Sequence, residues 1–338
     1  MPHTSLSTAV SASATDHLLA TDPCSRPYVE RYALIDTHTH FDDSVFVKDR
    51  EAQIRQASDA GVQHLVLVGY LRRYFERMWQ TQAQINTFNY PGLSQQEVSK
   101  PLQAHVALGL HPVYIDEHTV DDLQVMTDGL NQRNDIIAIG EIGLDTFTPQ
   151  LKLPEVLAKQ QRCFIAQLDM AVSHELPVLL HIRKAHAETL KILKQHPYDA
   201  HTLGGIAHSF SGGEQEAKAF VALGFKLGVT GQVTNPNAKK LRRALAAAVQ
   251  QYGLSCLVIE TDCPDMLPVM CQPDWSATAA NNLETSHSQP TRNTPANLPH
   301  VLATLSELFD IALADLAEQL WRNSCEALKV QWDYTASH

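Results

Sequence analysis

The sequence lacks a surplus of positive charge and any long apolar run. Its 338 residues include 26 Lys and Arg against 37 Asp and Glu, which gives a formal net charge of −11 at pH 7. A chain with this charge has no general electrostatic attraction for a polyanion, so any contact with nucleic acid must be local or metal-mediated. No stretch approaches the roughly 20 apolar residues that a transmembrane helix needs. We therefore expect no membrane association.

Cysteine pairs of the C-x-x-C type are also absent. In a chain of this length without a secretory signal, scattered cysteines indicate reduced and mostly buried thiols. Residues 1–30 are rich in Ser, Thr and Ala but have neither a basic start nor a continuous apolar core, so they predict no secretory signal. We interpret residues 1–31 as a disordered or loosely packed N-terminal extension and expect a cytoplasmic protein. The six cysteines are Cys24, Cys163, Cys256, Cys263, Cys271 and Cys325.

Short apolar runs alternate with longer amphipathic stretches along the remaining chain. Strands that alternate with helices predict parallel βαβ units. Eight units over about 300 residues fit a TIM (β/α)8 barrel of the α/β class. The main alternative is an open doubly wound sheet, but the sequence lacks the Gly-rich first turn of its dinucleotide-binding form. The expected strands are 33–36, 64–69, 104–108, 136–140, 177–181, 204–208, 225–229 and 257–261.

We expect one barrel domain over residues 32–330, followed by a C-terminal tail at 331–338. The apolar spacing of 298–309 and 313–328 predicts the last two outer helices. A loop insertion near 270–296 follows the eighth strand and therefore lies at the carboxyl-terminal face of the barrel. This loop is polar and contains proline, so a substrate-covering lid and an inert surface insertion are both consistent with it.

Ionisable residues follow the carboxyl ends of several predicted strands. His38 and His40, in the segment ALIDTHTH (33–40), are residues i and i+2 of a strand and therefore share a face. An isolated H-x-H pair is weak evidence, because one imidazole can pack while the other is solvated. The remaining strand ends supply similar residues, which are His111, Glu141, Asp145, His181, Arg183, His186, His208, Glu260 and Asp262.

Barrel active sites lie at the carboxyl-terminal face, where buried His, Glu and Asp side chains are costly unless they are paired or bind a metal. Imidazole favours zinc and its neighbours, whereas carboxylate and water suit magnesium and manganese. The absence of cysteine from the set argues against a closed structural zinc site. Four histidines and two acids directly follow apolar strands. These six ligands are too many for one open catalytic ion, whereas two ions that share one carboxylate would use them all. Glu141 is the expected bridge, because the fourth strand lies midway around the set.

Taken together, these motifs resemble the TatD family of metal-dependent hydrolases, within the amidohydrolase-like barrel superfamily. The resemblance covers about residues 32–330. It is strongest to the YjjV branch, because no Tyr follows GEIGLD and the last motif continues as TDCPDM. The matching segments are DTHTHFD (36–42), GLHP (109–112), GEIGLD (140–145), HIRKAH (181–186), HSFSG (208–212), ETDCPD (260–265), RNTPANL (292–298) and RNSCEAL (322–328).

The resemblance implies two divalent ions per chain, of magnesium, manganese or zinc. Those ions would activate water for attack on a phosphorus or carbonyl centre. Asp262 is expected both to bind an ion and to accept the water's proton as general base. The implied ligands are His38, His40, Glu141 and Asp262 for the first ion, and Glu141, His181 and His208 for the second.

His111 and Arg183 are the expected substrate-binding residues. The guanidinium of Arg183 can bind a phosphate with two hydrogen bonds, although a surface or structural ion pair is an equally good interpretation. Asp145 is expected to orient a metal ligand or to cap the following segment. His186 is explained about equally well as an ordinary residue in the first turn of a helix and as a residue of the site.

The leading functional hypothesis is a deoxyribonuclease that hydrolyses phosphodiester bonds in single-stranded DNA or at DNA ends. The resemblance supplies the DNA substrate, and the net charge of −11 does not. The alternative is a two-metal amidohydrolase or esterase that acts on a small molecule or an aminoacyl ester. A barrel that only binds or scaffolds would be indicated by a missing ligand, and none is missing. The resemblance also favours a monomer without an obligate protein partner.

Overall fold

The computed structural model describes residues 31–90, 101–272 and 292–335. Eight parallel strands form a single sheet in which each strand is hydrogen-bonded to the next in sequence order. This topology confirms the predicted (β/α)8 barrel. The strands are β1 (Leu34–Thr39), β2 (Val62–Val68), β3 (Gln103–Leu108), β4 (Ile136–Asp145), β5 (Val178–Arg183), β6 (Ile206–Ala207), β7 (Lys226–Val229) and β8 (Leu257–Ile259).

The ends of the sheet meet through the segment that follows β8. The amide of Asp262 donates to the His38 carbonyl at 2.9 Å, and the amide of His40 donates to the Cys263 carbonyl at 2.8 Å. Asp262 has a left-handed backbone (φ +54°), which costs a non-glycine residue about 1–2 kcal/mol. The bond to His38 holds Asp262 in this conformation, and it brings the first and last strand ends to one side of the barrel.

Helices surround the sheet, and their apolar faces pack on the strands. In the helix at 154–173, Val156, Phe164, Leu168 and Ala171 are buried at helical spacing, and Pro154 occupies its first turn, where no amide donor is required. The helices are α1 (Arg50–Asp59), α2 (Phe75–Asn86), α3 (Val120–Gln132), α4 (Pro154–Ser173), α5 (His186–Gln195), α6 (Ala200–Leu203), α7 (Glu214–Ala222), α8 (Lys239–Tyr252), α9 (Leu298–Phe309) and α10 (Leu313–Leu328).

The strands are apolar on both faces because one face meets the helices and the other fills the barrel. One buried cluster holds small and branched side chains from six strands, including Ala107, Ala138 and Leu179. A larger cluster joins the alternate strand positions, such as Leu65 and Val106, to the helices. The apolar core is therefore continuous around the barrel, and it leaves the polar strand ends at the carboxyl-terminal face.

Two buried glutamines of α4 hold the ends of β3 and β4. Gln167 accepts from the amide of Leu110 at 2.8 Å, and Gln160 accepts from the amide of Asp145 at 2.9 Å. The side chain of Gln160 also donates to the Asp145 carbonyl at 3.0 Å. The two glutamines thus provide hydrogen-bond partners for the Leu110 amide and for the Asp145 amide and carbonyl. They therefore fix the segments that carry His111 and Asp145.

Parts of the expected domain plan lie outside the described residues, namely 1–30 of the N-terminal extension and 273–291 of the loop near 270–296. Residues 331–335 of the C-terminal tail are described, and Trp332 stacks on His64 and His105 with ring centroids 4.0 and 4.3 Å apart. These imidazoles belong to the amino-terminal halves of β2 and β3. Within the described ranges, no helix combines the length and apolar character needed to cross a bilayer.

The cysteines differ from the expectation in one respect. Cys163, Cys256, Cys263 and Cys325 are free, and burial raises the pKa of each thiol. Cys271 is disulfide-bonded, so the prediction of six reduced thiols is wrong at this residue. Sequence spacing does not reveal such a bond, because it depends on two sulfur atoms meeting in the folded chain. The cytoplasmic location stays a prediction.

Candidate metal centre

The buried carboxylate of Glu141 faces His38, near the end of β1, and His40, directly after it. Its Oε2 atom is 3.2 Å from His38 Nε2 and 3.4 Å from His40 Nε2. Asp262 approaches from the segment after β8, and its Oδ1 atom is 3.9 Å from each of the same two nitrogens. Four side chains from three separate parts of the sequence therefore converge on one point, as the predicted ligand set of the first ion requires.

The other carboxylate oxygen of Glu141 faces a second pair of histidines. His181 Nδ1 is 2.7 Å from Glu141 Oε1, and its Nε2 atom is 3.0 Å from Asp145 Oδ2. His208 Nε2 is 3.8 Å from Glu141 Oε1, and its Nδ1 atom is 2.8 Å from Glu260 Oε1. His181 thus directs one nitrogen towards Glu141 and the other towards Asp145, which is the common arrangement of a metal-binding histidine and its outer carboxylate. His208 Nε2 lies nearer to Asp262 Oδ2, at 3.5 Å, than to Glu141.

His111 also reaches Glu141, but the hydrogen bonding of its ring differs. Its Nε2 atom is 3.1 Å from Glu141 Oε1, and its Nδ1 atom accepts from the amide of Val113 at 3.0 Å. Burial is the largest influence on this ring and lowers its pKa to about 4, so the imidazole is neutral at pH 7. A neutral ring that accepts at Nδ1 carries its proton on Nε2. In this structure His111 therefore presents a hydrogen-bond donor to Glu141, and its ring also lies within reach of an ion held by Glu141 and His181.

Glu260 supports His208 from inside the barrel. Its carboxylate accepts from the amide of Ser209 at 2.6 Å and from the hydroxyl of Thr37 at 3.1 Å. A Cβ atom at Gly228 would lie 2.4 Å from Glu260 Oε1, so only glycine leaves space for this carboxylate. The sequence marked Glu260 as a strand-end acid, but its contact with His208 depends on the packing of β6 against β7 and β8.

The carboxylates and imidazoles of the cluster shift one another's pKa values. Burial opposes ionisation of Glu141, but the surrounding imidazoles outweigh it and hold the pKa of its carboxyl well below the usual value. Burial and the neighbouring His208 ring lower the pKa of His38. Burial alone would lower the pKa of His40 as well, but Glu141 and Asp262 raise it to about 9. Without a cation, protons on some of these rings would balance the carboxylates.

The donor set fits a divalent cation. Among the described residues, neither ring nitrogen of the fully buried His38 has a hydrogen-bond partner, and the same holds for Nδ1 of His40. Buried polar atoms without partners are costly, and a cation at the shared point would bind such lone pairs. A set of imidazoles and carboxylates suits zinc, manganese and related ions. Three groups of side chains lie close enough together to hold an ion, namely His38 with His40 and Glu141, His38 with His208 and Asp262, and His111 with Glu141 and His181.

An open pocket of about 680 Å³ gives access to the centre, and Arg183, Tyr70 and Tyr114 line it together with the metal-site residues. The exposed guanidinium of Arg183 lies 3.7 Å from the centre of the Phe147 ring, and it makes no salt bridge within the described part of the chain. Asp145 contacts His181 and also accepts from the Phe147 amide at 2.7 Å. His186 instead begins α5 and packs its edge against Phe210, with ring centroids 5.7 Å apart.

The barrel fold, the strand-end imidazoles and the shared carboxylate together define the class of metal-dependent hydrolases built on a (β/α)8 barrel. The family model described as TatD related DNase matches residues 35–329, so the chain belongs to the TatD family. It is 34% identical to the Escherichia coli K12 protein named uncharacterized metal-dependent hydrolase YjjV, over 86% of this chain and 95% of that protein. The crystal structure of YjjV matches with a TM-score of 0.69, covering 88% of this chain and 98% of that one.

A second relative carries a more specific name. The chain is 28% identical to the 3'-5' ssDNA/RNA exonuclease TatD of Pantoea sp. At-9b, over 90% of this chain and 97% of that protein. These comparisons confirm the predicted family and its YjjV-like character. They establish a metal-dependent hydrolase.

Proposed function

We propose that the protein is a two-metal deoxyribonuclease that hydrolyses phosphodiester bonds in single-stranded DNA or at DNA ends. The observation that carries the proposal is the position of Glu141. One of its carboxylate oxygens faces His38 and His40, and the other faces His181. A carboxylate shared in this way suits two neighbouring ions, which is a common arrangement in enzymes that act on phosphate esters. The nuclease name of the Pantoea relative supports the same substrate class.

The proposed ligands are His38, His40, Glu141 and Asp262 for one ion, and Glu141, His181 and His208 for the other. When bound, magnesium, manganese or zinc would supply a Lewis acid and a nucleophilic water near neutral pH. Asp262 is the proposed general base. Burial opposes its ionisation, but His208 and the other imidazoles lower the pKa of its carboxyl, so it is ionised and can accept a proton.

His111 and Arg183 are the proposed substrate-binding residues. His111 Nε2 lies 3.1 Å from Glu141 Oε1, and its N–H group would donate to a phosphate oxygen in place of that carboxylate when substrate binds. The guanidinium of Arg183 is exposed at the pocket, so it can bind a non-bridging oxygen without breaking an ion pair within the described chain. Two such contacts would hold one phosphate locally, which is compatible with a net charge of −11.

The test is nucleotide release from end-labelled single-stranded DNA by chelator-stripped protein resupplied with magnesium, manganese or zinc. We expect metal-dependent cleavage that Asp262→Ala abolishes, whereas the exposed Asp128→Ala variant retains it. Metal content and circular dichroism would show that Asp262→Ala stays folded. Full activity of folded Asp262→Ala would contradict the assigned mechanism.

A protein that binds two ions but cleaves no DNA would refute the nuclease proposal. The carbonyl-ester or amide substrates of the alternative hypothesis would then be tested with the same variants. The monomeric state stays a prediction that light scattering would check.

A further inference from the structure

We propose that Tyr70 and Tyr114 form a base-stacking subsite, which binds a nucleobase next to the phosphodiester that is cleaved. The inference deepens the proposed nuclease function and rests on it, because a stacked base implies a nucleotide substrate. The occupant is a base of single-stranded nucleic acid, since a paired base has no free face to offer.

The two tyrosines form one wall of the pocket beside the metal centre. Tyr70 follows β2 and Tyr114 lies in the short helical turn Pro112–Tyr114 after β3, and their ring centroids are 5.7 Å apart. Tyr70 meets the edge of His40 at 5.3 Å between centroids, and Tyr114 meets His111 at 5.8 Å. Both rings are half-buried and line the pocket. A base bound there would be attached to a phosphate at the metal centre.

The Tyr70 ring is held in place before any ligand binds. Its hydroxyl accepts from Arg77 Nη2 at 2.7 Å. Arg77 in turn donates to the buried carboxylate of Asp42 through Nε at 3.1 Å and Nη2 at 3.0 Å. Tyr74 packs on Tyr70 with ring centroids 5.2 Å apart, and the Arg77 guanidinium covers Tyr74 at 4.2 Å. A ring fixed in this way loses little conformational entropy when a base stacks on it.

The wall offers apolar ring surface and little net charge. Asp42 balances the charge of Arg77, so the wall has no unpaired cation to bind a phosphate. Burial raises the pKa of Tyr70 to about 12, which keeps its phenol neutral. Stacking on a neutral ring does not depend on the charge of the whole protein and accepts any base. Among the described residues that line the pocket, the exposed cation is Arg183, which lies on β5, two strands further around the barrel than β3.

The experiment compares two end-labelled single strands of the same length. One carries normal bases, and the other carries abasic tetrahydrofuran residues at the two terminal positions that flank the cleaved bond. For the wild-type enzyme we expect kcat/KM to be about ten-fold higher with the normal strand. Tyr70→Leu and Tyr114→Leu should reduce this ratio towards one, and Tyr114→Phe, which keeps the ring, should preserve it. Tyr252→Leu, at a half-buried tyrosine on α8, is the matched control and should also keep the ratio.

A second readout does not require catalysis. A strand with 2-aminopurine at the terminal position is titrated with protein in chelator, so that no cleavage occurs. Stacking should quench the 2-aminopurine fluorescence with the wild type, with Tyr114→Phe and with Tyr252→Leu. The quench should be lost with Tyr114→Leu.

The outcomes separate the two proposals. Cleavage with an unchanged base preference in both leucine variants would overturn the stacking subsite and leave the nuclease function standing. Quenching by the wild type that Tyr114→Leu abolishes, without cleavage under any metal, would support the subsite and refute the nuclease function. The absence of both cleavage and quenching would overturn both.

Discussion

Histidines cluster at both ends of this barrel, and the two clusters are built differently. At the carboxyl-terminal face, five imidazoles surround Glu141, and a second nitrogen of His181 and of His208 lies within 3.0 Å of a further carboxylate. At the amino-terminal face, His64 Nδ1 lies 3.0 Å from His105 Nε2, and both rings stack on the indole of Trp332.

The surroundings of the rings set their protonation. Burial alone lowers the pKa of His105 to about 4, so this ring is a neutral packing element. His40 is also buried, but the carboxylates of Glu141 and Asp262 raise its pKa to about 9. A cluster of buried histidines therefore does not by itself indicate a metal site. Converging carboxylates distinguish the carboxyl-terminal face, and single substitutions can remove the elements of this contrast one at a time.

The largest effect is expected from Glu141→Gln, which preserves the volume of the side chain and removes its charge. The variant should lose at least one bound ion, and hydrolysis should fall by more than about 1,000-fold, because the shared carboxylate serves both ligand groups. Metal content by mass spectrometry and the rate of hydrolysis would measure this. Glu318→Gln, at a partly exposed glutamate that pairs with Arg322 on α10, is the control. Wild-type metal content and a rate within ten-fold of the wild type would contradict the bridging role.

The next effect concerns the amino-terminal face and the pH dependence of stability. The folded-state pKa of His105 is about 4 against an ordinary value of 6.5, so the unfolded chain binds more protons between these two pH values. The free energy of unfolding is therefore unaffected by this ring above pH 6.5 and falls as the pH drops towards 4, by on the order of 3 kcal/mol.

His105→Gln should remove that contribution, since glutamine does not titrate. Urea unfolding at about pH 7 and about pH 4.5 would measure this. The free energy of unfolding should fall less between the two pH values in the variant than in the wild type. His201→Gln, at an exposed histidine, should behave as the wild type does. Equal acid losses in His105→Gln and the wild type would show that the ring is not held neutral by burial.

The smallest effect is expected from Asp145→Asn, which alters one outer carboxylate of the metal centre. Asparagine can still accept from the Phe147 amide, but it no longer holds the proton of His181 by charge. Affinity for the second ion should fall about 10- to 100-fold. Asp169→Asn is the matched control, because Asp169 Oδ1 lies 3.0 Å from His196 Nε2 at the surface. Calorimetric metal titration would compare them, and equal affinities would argue against the orienting role of Asp145.

Apolar periodicity predicted most of the fold. All eight expected strands are present, and the expected helices at 298–309 and 313–328 have the same bounds as α9 and α10. The expected fourth strand ended at 140, whereas β4 continues to Asp145. The carboxylates of Glu141 and Asp145 interrupt the apolar pattern. They remain buried within the strand because imidazoles from other strands pair with them.

The sequence by itself determined the barrel and the residue types at its strand ends, because both follow from the order of apolar and polar residues along the chain. The tertiary structure alone decided which group each ring nitrogen faces. Val113 makes His111 a donor, whereas Asp145 and Glu260 turn His181 and His208 towards Glu141. It also decided that Tyr70 and Tyr114 form one wall. These features depend on contacts between side chains far apart in sequence, so the pattern of apolar and polar residues does not reveal them.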